Sequence, residues 1–124
     1  MTILSETKGR FTIRAYIKKI GDDLLVVLSG GKKHIGAAGF AQPRPSLKNK
    51  NKISATSSVY TYLGHKEDTI VKSISEELSK RLNRKVVVLA GIHWDNIRKK
   101  DIEIVKKLCG IITQKIIKSV AGVC

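Results

Sequence analysis

Residues Phe11 to Lys18 alternate cleanly, with Phe11, Ile13, Ala15 and Ile17 on one side and Thr12, Arg14, Tyr16 and Lys18 on the other. This period-two pattern predicts a strand with one wet face. Ile20-Gly21-Asp22-Asp23 supplies turn residues, and Leu24 to Leu28 is continuously apolar, which predicts a strand covered on both faces. Gly30-Gly31 then reads as a hairpin turn into a strand from Ile35 to Ala41, so the first three strands form an antiparallel meander. Gln42 to Ile53 holds Pro43, Pro45 and the apolar-free run Lys48-Asn49-Lys50-Asn51-Lys52, and reads as a basic loop. A hydroxyl-rich strand follows from Ser54 to Tyr62.

After Gly64-His65 the apolar positions Ile70, Ile74, Leu78 and Leu82 recur every fourth residue, with Asn83 as the C-cap, and predict a helix. Val86 to Ala90 is short and β-branched, and reads as a buried strand parallel to the Ser54 to Tyr62 strand through a crossover. Asp95 or Asn96 can cap a long last helix, roughly 97–120, whose apolar stripe runs from Ile102 to Val120. Met1 to Gly9 is polar without clear period and reads as a loose start. The expected fold is α+β in two layers: a mostly antiparallel sheet of about five strands with two helices on one face, in the order β-β-β-β-α-β-α. Residues 1–124 are expected to form one domain, with 1–9 loose and 42–53 a basic loop.

The sheet face away from the helices would carry Arg14, Tyr16, Lys18 and the small residues of the third strand. In so small a chain such a face is usually closed by copies of itself, which predicts a homo-oligomer. The apolar runs fall short of the roughly 20 residues that cross a bilayer, so no membrane partner is expected. Cys109 in an apolar stripe and Cys124 at the terminus make no disulfide framework, and no signal-like run opens the sequence. A cytoplasmic setting is the expectation.

Charge changes the picture most. With 24 Lys and Arg against 10 Asp and Glu the net charge is +14, so anionic partners are favoured. From Leu24 to Lys66 there is no acid at all, while Lys32, Lys33, Arg44, Lys48, Lys50, Lys52 and Lys66 are basic. Gly30-Gly31-Lys32-Lys33 is a candidate anion cradle, because glycine frees backbone N–H groups and two ammonium groups stand beside them. His34, His65 and His93 each lie at the edge of an element. They offer no local ligand pair, so no metal site is expected. No G-x-S-x-G elbow, Walker-type phosphate loop or carboxylate pair is present, and no residue is assigned a catalytic role. What remains is a binding module for a phosphorylated, flat ligand, with Phe40, Tyr60, Tyr62 and Trp94 able to stack on a ring. An RNA- or nucleotide-binding basic module and a small enzyme acting on a phosphorylated ligand are the alternatives.

Four stretches together carry a more specific signal: 29–37 (G-G-x-x-H-I-G-A), 41–47 (Q-P-R-P-S), 64–68 and 90–96 (G-I-H-x-D-N). With these motifs the chain resembles the LpdD-type family of gallate decarboxylase accessory proteins, described as prenylated-flavin chaperone-like, from about Phe11 onward. Lys33 stands where such proteins are expected to carry proline. The resemblance implies an accessory partner of a UbiD-type decarboxylase that binds or delivers prenylated FMN or FMN as cargo, without decarboxylase activity of its own. Carried over by motif, it implies cofactor-binding roles for Gly30, Gly31, Lys32, His34, Gly36, Arg44, Ser46, His65, His93, Asp95 and Asn96. Lys32 and Arg44 would meet phosphate, His34 and His93 would orient the ligand, and Asn96 would brace its turn. The expectation is that the glycine turn, Arg44 and the histidines converge on one pocket.

Overall fold

A computed structural model describes residues 1–62, 64 and 67–122. Its elements run β1 (Thr2–Lys8), β2 (Phe11–Ile20), β3 (Asp23–Gly31), β4 (Ala37–Pro45), β5 (Ile53–Thr61), α1 (Asp68–Leu82), β6 (Val86–His93) and α2 (Lys99–Ala121). The strands form one sheet in the order β1-β2-β3-β6-β4-β5, with a single parallel neighbour pair, β3 and β6. The α+β class and the element order after β1 are those expected from the pattern. The sheet has six strands rather than five, because residues 2–8 are not loose but pair along their whole length with β2. Gly9, at φ +60°, makes the tight turn between them. Leu4 packs against the core and Glu6 meets Lys115 of α2 at 2.8 Å, so a carboxylate occupies the position where an apolar residue would have revealed the strand.

The alternation in β2 is realised as read: Phe11, Ile13, Ala15 and Ile17 are buried beside Leu24, Val26, Leu28, Val86, Val88 and Ala90 from the central strands. Over this face α1 packs on β4, β5 and β6, and α2 packs on β1 and β2. Asn83 closes α1 in the left-handed conformation, φ 53°, and its N–H reaches the Ser79 carbonyl. The first residues of α2 differ from expectation: Arg98 is the cap, and its N–H donates to the Asp101 carboxylate at 3.0 Å. That N–H holds the Asp101 carboxyl below the usual carboxylate range. Burial pushes the Cys109 thiol, on the core side of α2, up to about 11.

The topology corrects further expectations. Gly30-Gly31 is not a hairpin turn, because β4 lies beyond β6 rather than beside β3. Residues 32–36 cross the carboxyl end of β6, held by Lys32 N–H to the His93 carbonyl (2.9 Å) and Gly36 N–H to the Ala90 carbonyl (2.8 Å). The β5 and β6 strands run in the same direction but are not neighbours, since β4 is inserted between them and is antiparallel to both. Strand β4 also continues through Pro43 and Pro45, shortening the basic loop to residues 46–52. Beyond Ala41 it has lost β6 and pairs only with β5, so prolines sit where β4 has become an edge. The face of β3 opposite the helices is covered by no other element among the described residues, contrary to the reading of Leu24 to Leu28 as a strand covered on both sides.

Candidate functional site

The carboxyl ends of β3 and β6 lie side by side, with Ser29 opposite Gly91 and Gly31 opposite His93. Across them runs the 32–36 crossing, and three glycines make that approach possible. A Cβ on Gly91 would overlap the His34 carbonyl, one on Gly31 the His93 carbonyl, and one on Gly36 the Glu67 carboxylate. Gly31 and Gly91 serve close passage of backbone over backbone and Gly36 makes room for the Glu67 side chain, which is a different use from an open anion cradle.

His34 is held at both ring nitrogens. Its Nδ1 lies 2.7 Å from the Lys32 carbonyl, and its Nε2 lies 2.9 Å from Glu67 Oε1. A carbonyl only accepts, so Nδ1 carries a proton. The second contact then requires one more proton, either on Nε2 as an imidazolium beside a carboxylate or on Glu67 donating to Nε2. Either way the pair keeps a proton between two fixed heavy atoms. The same Glu67 oxygen accepts from the Ile92 N–H at 3.3 Å, and the residue is only 4% exposed. Glu67 occupies the N-cap position of α1 yet caps nothing with its side chain; it ties the crossing segment to β6 instead.

The His93 ring stands 6.5 Å from that of His34, nearly perpendicular at 85°, and its Nε2 meets Asp95 Oδ1 at 3.2 Å. Asn96 takes the left-handed conformation, φ 57°. Tyr62 donates its N–H to the Gly36 carbonyl and stacks edgewise on Tyr60 at 5.5 Å, so two exposed rings adjoin the crossing. Lys32 and Lys33 are exposed there. Trp94 is otherwise occupied: it covers Gly30 and meets Phe11 edge to face at 4.9 Å.

Of the residues expected from sequence, the structure thus brings together Gly30, Gly31, Lys32, His34, Gly36, His93, Asp95 and Asn96. It separates Arg44 and Ser46 from them. Arg44 lies seven residues along β4 from Ala37, roughly 23 Å at the usual strand rise. There its Nε donates to Thr56 Oγ1 at 2.7 Å and its Nη1 to the Pro45 carbonyl. Ser46 ties down its own loop, where its hydroxyl accepts from the Lys48 N–H. The convergence of Arg44 with the histidines is therefore not found within one chain, since β4 runs away from the turn and not along it. His65 lies outside the described residues. Glu67 was missed as a site residue, because an acid in the first turn of a helix is already explained by the helix dipole.

Among the described residues the site forms a shelf. Two hollows lie elsewhere, one of about 490 Å³ between β5 and α1 and one of about 590 Å³ at the opposite end of the sheet. Among the described residues no group of three His, Cys, Asp or Glu side chains is placed to hold a metal ion, and no helix is long and apolar enough to cross a membrane. Compared with known families, residues 7–121 match the prenylated flavin chaperone LpdD-like domain. No curated protein matches the chain.

Proposed function

Because the chain belongs to the prenylated flavin chaperone LpdD-like family, we propose that it holds prenylated FMN at the His34–His93 shelf and passes it to a UbiD-type decarboxylase. The observation that carries the placement is the meeting of two perpendicular imidazoles, two exposed lysines and two exposed tyrosines at one crossing of the chain. Those side chains match the parts of the cargo: ammonium groups for its phosphate, phenol rings for its flat tricycle, and the His93 imidazole for a ring heteroatom, while His34, engaged at both nitrogens, fixes the crossing. Arg44 and Ser46 have no part in the shelf of their own protomer. No group in the shelf is assigned bond-breaking chemistry; the role is to bind and release. An open shelf suits release better than a closed cavity, which would bury most of such a ligand.

Titration with FMN, followed by flavin fluorescence, tests the binding step. The wild-type chain is expected to bind, riboflavin to bind at least tenfold more weakly for want of a phosphate, and Lys32→Ala and His93→Ala each to lose about tenfold, or ~1.4 kcal/mol. Delivery is read separately, as the activity gained by an apo-decarboxylase when the loaded chain is added. Binding of RNA with a steep salt dependence, and no preference for flavin, would replace this reading with the nucleic-acid one.

A further inference from the structure

The outer edge of β5 is open along its length. The strand is nine residues long, and β4 is its one strand neighbour among the described residues. The register between them shows which backbone groups are left over. Pro43 stands opposite Ala55 and Pro45 opposite Ile53, and proline has no N–H to exchange, so in both pairs the partners do not hydrogen-bond each other. Alternation then turns the N–H and C=O of Ile53, Ala55, Ser57, Val59 and Thr61 away from β4. The Tyr62 N–H, one residue on, points inward to the Gly36 carbonyl at 2.9 Å, as that alternation requires. Such an edge is usually blunted by charge, proline or a bulge. The opposite edge strand, β1, carries Glu6 and Lys8, whereas β5 holds no charge, proline or glycine and its register with β4 runs unbroken. Beside this edge lies the hollow of about 490 Å³, with Ser54 and Ala55 on one side and Thr69, Ser73, Glu76 and Lys80 of α1 on the other. Glu76 is already answered by Lys72 at 2.7 Å and by the Ser57 hydroxyl, and Glu77 by Arg81 at 3.4 Å. Lys80 is exposed, as are Lys48, Lys50 and Lys52 in the loop that leads into β5.

We propose that this edge takes up an extended acidic segment of another protein as an added strand, its backbone on β5 and its acids toward Lys80 and the 46–52 loop. Three considerations select that occupant. The free edge presents donors and acceptors in alternation, which a second peptide backbone matches; a phosphodiester chain or a lipid headgroup surface would meet the N–H groups and leave the carbonyls unanswered. Charge selects the composition: no acid occurs between Leu24 and Lys66, and the chain carries +14, so an acidic segment is attracted where another copy of this chain is repelled. The hollow, finally, gives every second side chain of the added strand a place against α1, which is how strand addition gains specificity over a bare edge.

Fluorescence anisotropy of a labelled peptide the length of β5, alternating valine with threonine and ending in glutamates, tests this without any flavin, so its failure is separate from a failure of the flavin reading. The full chain is expected to bind the peptide saturably below about 100 μM, and about tenfold more weakly when lysines replace the glutamates. Two versions methylated on alternate amide nitrogens, one in each phase, are expected to separate: the one that loses the donors facing β5 fails to bind, and the other binds. Ala55→Pro removes an outward N–H from β5 and none from the ladder with β4, so this variant is expected to keep its circular dichroism spectrum and to bind the peptide about tenfold more weakly. Absence of saturable binding, equal binding of the lysine peptide, or equal binding of both methylated peptides would each overturn the proposal. So would an edge occupied by a second copy, seen in light scattering as a mass that Ala55→Pro halves.

Discussion

Gly91→Ala is expected to destabilise the chain by about 3 kcal/mol, at the upper end of what overpacking costs, and to lower Tm by roughly 10 °C. The added methyl would fall on the His34 carbonyl, and neither side can yield cheaply. Gly91 belongs to a central strand paired with β3, while the segment carrying His34 is fixed to β6 on both sides, at Lys32 and Gly36. Relief therefore means lifting the crossing away from the sheet, which breaks the His34 contacts as well. Urea unfolding checks the first effect, as a lower midpoint with an unchanged slope. Loss of FMN binding at temperatures where the variant remains folded checks the second. An alanine variant as stable as wild type would show that the crossing does not lie over Gly91.

Glu67→Ala is the other large effect, expected at about 3 kcal/mol. The change takes the acceptor from the Ile92 N–H and the carboxylate from His34 Nε2, in a place where water cannot easily substitute. Glu67→Gln retains a carbonyl oxygen for Ile92 and should recover about half of the loss. Combined with His34→Ala, the Glu67→Ala change should cost less than the sum of the two by about 1–2 kcal/mol, the mark of two groups acting as one. Strict additivity would place Glu67 and His34 in separate roles.

Neither the packing of Gly91 nor the contacts of Glu67 can be read from the residue pattern alone. Period two in β2 and period four in α1 specify the layers, because burial on one face is written directly into such spacing. The neighbours of β6 are not written there. A run such as Val86 to Ala90 says that a strand is central without saying between which others, and Gly30-Gly31 looks the same whether it turns a hairpin or lets one chain cross another. The edge strand β1 escaped notice because Glu6 inside it answers Lys115 on the last helix. At the site, His34 and His93 were legible as residues at the ends of elements. Glu67 was hidden by a sufficient local explanation, and Arg44 was drawn in by motif although the pairing of β4 with β5 carries it to the other end of the sheet.

The flavin is expected to meet the crossing at the carboxyl ends of β3 and β6, and backbone amide shifts on titration of the labelled chain with FMN test that most directly. The expected result is a set of shifts centred on Lys32 to Gly36 and Gly91 to Asp95, saturating with the fluorescence titration. Shifts confined to Arg44 and the Ser46 to Lys52 loop, with the histidine crossing unmoved, would contradict it.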